Sequence, residues 1–282
     1  MITRFAPSPT GPLHLGHAYS ALLAYDMATQ NSGTFLLRIE DIDQSRARPN
    51  WEAQILDDLH WLGLHWPTPV MRQSDRLPAY SAALDHLWQQ GLIYPCTCTR
   101  RDIHDAISAP QEGVPTIGPD GLIYPGTCRP PHQHATHAPR PDAVMRLNMA
   151  RAMQAIDAPL EFSETGLHGD HITFAADDVN TQIGDIVLAR RDMGTSYHLS
   201  VVLDDAAQGI THIVRGQDLF EATTIHVILQ RLLGLPTPTY HHHKLIRDEN
   251  GRRLAKRDDA RALSKYRAEG ASPNDIRQMV GL

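Results

Sequence analysis

The 282 residues predict an α/β fold built around a parallel sheet, interrupted by a small inserted subdomain and closed by a short helical tail. Three observations carry that expectation. A strand, a helix and a strand follow one another from Ile2 to Asp41; a stretch from 95 to 145 is rich in Pro, Gly, His and Thr and loses its periodicity; and helical sequence ends the chain. A chain of this length can bury a sizeable core, in one large or two modest domains. Its 41% hydrophobic and 21% charged residues are ordinary for a globular protein.

"ITRFAP" at the start reads as a short strand, and Gly11-Pro12 as a turn with proline where a first helical turn tolerates it. From Leu15 the apolar residues Leu15, Ala18, Leu22, Tyr25 and Ala28 recur at helical spacing until Asn31-Ser32-Gly33 stops them. "TFLLRIED" then reads as a buried strand ending in acids. A β-α-β unit implies parallel strands, with ligands at their carboxyl ends. Residues 51–64 and 78–91 have amphipathic helical spacing, and the aperiodic stretch after them reads as an insertion held by something other than a large core. "GDIVLARRDMGTSYHLSVVLDDAAQGITHIVRGQDL" alternates strand-like runs and turns, as if the sheet resumes, and "TTIHVILQRLLG" is a clear helix. "ALSKYRAEGASPNDIRQMVGL" holds a helix or two, and the "HHH" at 241–243 is internal and no tag.

Arg4 and three prolines argue against a leader at the start, and no apolar run approaches the ~18 residues of a membrane span, so a cytoplasmic protein without membrane contact is expected. Three cysteines, two of them one residue apart, fit a metal site in a reducing compartment better than a disulfide framework. The net charge of -6 argues against a protein that coats nucleic acid, and no DNA partner is expected. The charge is uneven, however: residues 244–267 hold nine Lys or Arg against four acids. Such a run is a solvated surface segment or a phosphate-facing loop.

The densest stretch is "RFAPSPTGPLHLGH". His14 and His17 lie three apart, so they share one face of the first helical turn, beside unpaired backbone N–H groups and the positive end of the helix dipole. Two imidazoles there can donate to phosphate oxygens, and Gly16 removes a side chain that would hold a flat purine away. Alone, such a pair is equally two surface histidines.

With its flank, Pro7-Ser8-Pro9-Thr10-Gly11-Pro12-Leu13-His14-Leu15-Gly16-His17 resembles the HIGH signature of class I aminoacyl-tRNA synthetases of the glutamyl type. Arg253-Leu254-Ala255-Lys256-Arg257, inside the basic segment, resembles the second signature, KMSKS. The resemblance implies a Rossmann-type catalytic domain split between 1–94 and 180–260, an inserted zinc-binding, tRNA-contacting subdomain at 95–179, and a helical tail at 261–282. It implies ATP with magnesium bound by His14, Gly16, His17 and Lys256. It also implies a pocket for L-glutamate made by Arg4, Phe5, Ala6, Pro7, Ser8, Glu40, Tyr197 and Arg215, with Glu40 facing the ammonium and the arginines a carboxylate. Asp41 and Asp43 read equally as an acidic turn. Val201 stands where the family usually has Asn, which implies weaker glutamate binding.

Cys96-Thr97-Cys98, followed by Cys128, could hold zinc with one further ligand. On chemistry alone His132, His134 and His137 compete for the fourth place, whereas the short relatives in this family imply Tyr124. Only about 25 residues follow the second signature, too few for an anticodon-binding domain. That truncation resembles the family's short paralogues. It implies tRNA-independent activation of glutamate and its transfer to queuosine at the wobble position of tRNA(Asp), by a protein expected to be a monomer. A truncated enzyme charging the 3' end of tRNA(Glu), or a silent tRNA-binding paralogue, is the alternative.

Overall fold

The structure is a computed structural model that describes residues 1–107, 117–131, 138–247 and 261–282. The first half builds the expected unit. Strand β1 (Ile2–Phe5) leads through α1 (Leu15–Gln30) to β2 (Thr34–Ile39), then α2 (Pro49–Trp61) and β3 (Met71–Arg72). The three strands are parallel, with Ile2 opposite Thr34 and Arg38 opposite Met71. A 3-10 turn at Gln73–Arg76 then enters α3 (Leu77–Gln89) and β4 (Ile93–Cys96).

Next come α4 (Arg100–Ile107), β5 (Ile117–Gly118) and β6 (Gly121–Leu122), then β7 (Val144–Leu147), α5 (Met149–Ala155), β8 (Glu161–Ser163) and β9 (His171–Thr173). The chain continues as α6 (Ala176–Gln182), β10 (Val187–Ala189), α7 (Tyr197–Ala207) and β11 (His212–Gly216). Helix α8 (Ala222–Leu232) connects β11 to β12 (Thr239–His243), which is parallel to it, and the tail is α9 (Leu263–Ala268) and α10 (Pro273–Val280).

The sequence of 184–189 reads as the parallel sheet resuming, but β10 joins a different sheet. It pairs antiparallel with β7, and β7 pairs antiparallel with β4. Local alternation marks a strand without naming its partner, which is a non-local choice. Here buried Asp185 makes that choice favourable. It accepts from Tyr94 Oη at 2.5 Å, Arg129 Nε at 2.7 Å and Met149 N at 2.8 Å, so it gathers the strand ends at one carboxylate.

The parallel sheet resumes at β11. Thr211 N donates to Ile2 O at 3.0 Å, laying β11 beside β1. From that seam β2 and β3 extend one way and β12 the other, so a crevice opens at the carboxyl ends of β1 and β11, the topological switch point.

Two apolar clusters form the core. One joins α3, β4, β7 and α5 to α7 and α8, so β7 and α5, within the 95–179 span, share their core with helices of the second half. The other joins α1, β2 and α2 to the tail, where Leu263, Ile276 and Val280 are buried. Each contributes roughly 2 kcal/mol by burial. Arg277 clamps the tail to α1, giving Nη1 and Nη2 to Asp26 at 2.7 and 2.8 Å. Around Tyr94, Cys96 and Tyr124 the buried cluster is small, as the poor composition of that region predicts. Among the described residues no helix is long and apolar enough to cross a membrane.

Candidate active site

Helix α1 begins at Leu15, and His14 is its N-cap. Gly16 N donates to His14 Nδ1 at 3.1 Å, and His14 N donates to His17 Nδ1 at 3.2 Å, so each ring caps one backbone N–H. The rings lie 3.8 Å apart. With both Nδ1 atoms accepting, the proton of each neutral ring sits on Nε2, which makes that nitrogen a donor suited to a phosphate oxygen. Gly16 has a second purpose here that the sequence did not reveal. A Cβ at this position would stand 3.0 Å from His14 Cε1, so glycine gives the capping ring room to lie close over the helix start.

The rest of the first motif divides between scaffold and cleft. Phe5, Leu13 and Leu15 are core residues. Pro7 O and Pro9 O accept from Glu40 N and Arg48 N at 3.0 and 2.9 Å, tying the loop to the end of β2. Ser8 and Thr10 line a cleft of about 690 Å³ with Glu40, Tyr197 and His198, a volume within the ordinary range for small-molecule sites.

Behind the cleft lies a buried ion-pair cluster. Asp205 on α7 accepts from Arg4 Nε and Nη2 at 2.9 and 3.2 Å and from Arg38 Nη1 at 2.6 Å, and Arg38 Nη2 reaches Glu40 Oε1 at 3.1 Å. Neighbouring Asp204 takes Gln73, Arg76 and Tyr80. Burial alone would raise Asp205, but Arg38 and Arg4 outweigh it and hold its carboxyl at about 2. Burial also lifts Glu40 above the ordinary carboxylate range, opposed by Arg38 and Arg4. Glu40 is therefore oriented by Arg38 through one oxygen, while Oε2 has no partner among the described residues. Asp41 belongs to the scaffold: it caps the 3-10 turn by accepting from Ser74 N and Oγ at 2.8 and 2.6 Å.

Arg215, at the end of β11, is different. It is 6% exposed, and its hydrogen-bond partners among the described residues are all uncharged. Nε donates to His242 at 3.1 Å, Nη1 to His226 at 3.0 Å and Nη2 to Thr223 at 2.6 Å. Burial and then Arg215 itself push His226 well below its ordinary value and His242 to about 4, so both rings are neutral at pH 7. A buried guanidinium held by neutral acceptors keeps an uncompensated positive charge and favours a nearby anion. Tyr197 stands beside it, its ring 5.7 Å from that of His226. Val201, one turn further along α7, is buried in the apolar core.

The three cysteines converge, their sulfurs within 4.8 Å of one another. Tyr124 Oη is 3.5 Å from Cys96 Sγ and 3.3 Å from Cys98 Sγ, and Cys98 and Cys128 are 3.4 Å apart. A tetrahedral zinc with ~2.3 Å bonds to sulfur sets its thiolates roughly 3.8 Å apart, so this donor set fits with little adjustment. Burial would raise the Cys128 thiol, but hydrogen bonds, that with Tyr124 foremost, bring it down to about 6. The candidate ligands His132, His134 and His137 lie outside the described residues, as do Arg253, Leu254, Ala255, Lys256 and Arg257. Where the chain is next described, Ala262 bridges to His14, and Leu263 N donates to Leu13 O at 2.8 Å.

Sequence reading had not singled out Arg38, Asp204, Asp205, His198, His226, Glu164 or His242 individually. Their signal was charge and imidazole inside otherwise apolar runs, as in "LLRIE" and "VVLDD". A parallel sheet with a histidine-capped helix and a buried arginine at the end of β11 is the architecture of a class I synthetase catalytic domain. The chain belongs to the tRNA synthetases class I (E and Q) catalytic-domain family, whose profile matches residues 1–282. Within that family, the glutamyl-Q tRNA(Asp) synthetase of Rhodobacter capsulatus is 64% identical over 283 residues, covering 100% of each chain. The protein of the same name from Geobacter sulfurreducens is 41% identical over 267 residues, covering 95% of this chain and 79% of that one. Among solved structures, a glutamate tRNA ligase from Elizabethkingia meningosepticum in complex with its amino acid matches with TM-score 0.74 at 27% identity. The match covers all of this chain, which spans 60% of that ligase.

Proposed function

We propose that this protein activates L-glutamate with ATP, without tRNA, and transfers the glutamyl group to queuosine at the wobble position of tRNA(Asp). The observation that carries the reading is Arg215, a buried cation at the end of β11 whose direct hydrogen-bond partners among the described residues are neutral. An amino acid offers that site a carboxylate, and its ammonium suits Glu40 Oε2. The full-length identity to glutamyl-Q tRNA(Asp) synthetases supports the choice of acceptor.

In this reading Arg215 and Arg4 hold the side-chain carboxylate of glutamate, and Glu40, oriented by Arg38, holds the ammonium. The α-carboxylate is left to attack the α-phosphorus of ATP, with the bond to pyrophosphate breaking in line. His14 and His17 donate to phosphate oxygens at the α1 N-terminus, so electrostatics and positioning do most of the catalysis. Magnesium bound with ATP offsets phosphate charge. Lys256 is assigned to the departing pyrophosphate. A queuosine hydroxyl then attacks the carbonyl carbon of the adenylate and AMP leaves. Cys96, Cys98, Cys128 and Tyr124 would hold one structural zinc, which cross-links a region with little core of its own. In this division of labour 1–94 and 180–260 bind the small substrates, 95–179 carries the metal and meets tRNA, and 261–282 braces α1, in a cytoplasmic monomer.

Label transfer tests the acceptor. Radiolabelled glutamate is expected on queuosine-containing tRNA(Asp), to be recovered in the anticodon-loop fragment after nuclease digestion, and to vanish when guanosine replaces queuosine. Label recovered on the 3' terminal adenosine, or transfer that favours tRNA(Glu), refutes the assignment.

A further inference from the structure

Arg215 can only donate, and that fact fixes the direction of a longer chain of hydrogen bonds. His226 Nδ1 must accept from Arg215, so its proton lies on Nε2 and passes to His198 Nδ1 at 3.1 Å. His198 therefore carries its proton on Nε2, which donates to Asp120 Oδ1 at 3.1 Å. On the other side His242 accepts from Arg215 and so donates through Nδ1 to Glu164 Oε2 at 2.6 Å. The guanidinium is thus flanked by neutral imidazoles, each chain ending on a carboxylate.

The two ends differ. Glu164 is buried within the fold at 1% exposure, whereas Asp120 has a side chain 40% exposed and comes from the insertion. Asp120 lies in the two-residue turn between β5 and β6, where Gly118 pairs with Gly121. That hairpin buries little of itself, with Ile117 72% and Leu122 49% exposed. Its seat is polar and close: a Cβ on Gly118 would fall 2.3 Å from Gln182 O, so only glycine permits the approach that brings Asp120 to His198.

We propose that Asp120 is a positioning residue for the amino-acid pocket: delivered by the inserted hairpin, it fixes His198 and His226 and through them the orientation of Arg215. Seating of the insertion and binding of the substrate carboxylate are then coupled. The inference rests on the reading of Arg215 as the carboxylate ligand.

Glutamate-dependent ATP–pyrophosphate exchange by the full chain tests it. Asp120→Ala is expected to raise KM for glutamate about tenfold, the loss of one hydrogen bond to a charged group, with kcat and KM for ATP within twofold and the melting temperature unchanged. Asp120→Asn keeps an accepting oxygen and is expected within threefold of wild type. Adding Asp120→Ala to His226→Ala should cost nothing further, because both cut the same chain. The proposal is overturned by a wild-type glutamate KM in Asp120→Ala, by an equal rise in both KM values, by Asn as impaired as Ala, or by a defect confined to transfer onto tRNA. Failure of the underlying reading looks different: Arg215→Ala would retain a normal glutamate KM.

Discussion

Removing the charge of Asp205 separates the ionic contribution of the buried cluster from its shape. In Asp205→Asn the side chain keeps its size, but Arg4 and Arg38, both under 8% exposed, lose their shared counter-ion. The carboxyl is held at about 2 against an unperturbed value of 3.8, a depression worth roughly 2–3 kcal/mol of stability. Truncation to Ala also strands the arginine donors and is expected nearer the ~3–5 kcal/mol of a broken buried pair. The sign follows from the direction of the shift. A depressed carboxyl stabilises the fold fully above its unfolded value and loses that contribution as pH falls through its folded one. Unfolding free energies of wild type and Asp205→Asn from urea titration should therefore differ by a constant ~2–3 kcal/mol between pH 7 and pH 5, with the gap beginning to close below about pH 4 and lost as pH falls through about 2. A gap under about 1 kcal/mol at pH 7, or one already closing between pH 7 and 5, would refute the account.

Other consequences follow from single contacts. Gly16→Ala sets a Cβ 3.0 Å from His14 Cε1, which displaces the capping ring by a few tenths of an ångström, and is expected to cost up to ~1 kcal/mol of cap stability and to raise KM for ATP more than KM for glutamate, read by exchange kinetics. Cys128→Ser should lose stoichiometric zinc by metal analysis. Tyr124→Phe should lower zinc affinity while keeping the buried ring, and unchanged affinity would move the fourth ligand to one of His132, His134 or His137. Lys256→Ala should suppress pyrophosphate exchange without moving the melting temperature, and normal exchange would remove this residue from the ATP site.

Much of the candidate site was legible because it is local. The His14-Leu15-Gly16-His17 spacing specifies a helix start whatever surrounds it, since capping depends on neighbours two and three residues away. Cys96, Cys98 and Cys128 were legible for a different reason, as thiols in a segment that cannot make a core, whereas Tyr124 was named through the resemblance to short relatives and not by its own pattern. Arg38, Asp205 and His226 carried no comparable local pattern. Each looks like an isolated polar residue in a strand or helix until β1, β2 and α7 come together, because the partner of a buried charge lies on another element, 201 positions away for Arg4 and Asp205.

The sequence by itself determined the elements and the chemistry at their ends: the β-α-β start, the helix N-terminus with its imidazoles, the cysteine set and the helical tail. Periodicity and capping act over a few residues, so one chain in isolation records them. Tertiary structure alone decided that β10 leaves the parallel sheet for β7, that Arg4 pairs with Asp205, and that Arg215 meets two neutral histidines and a threonine among the described residues. Pairing of strands and compensation of buried charge depend on what the whole fold brings within about 3 Å, and no stretch of sequence carries that distance.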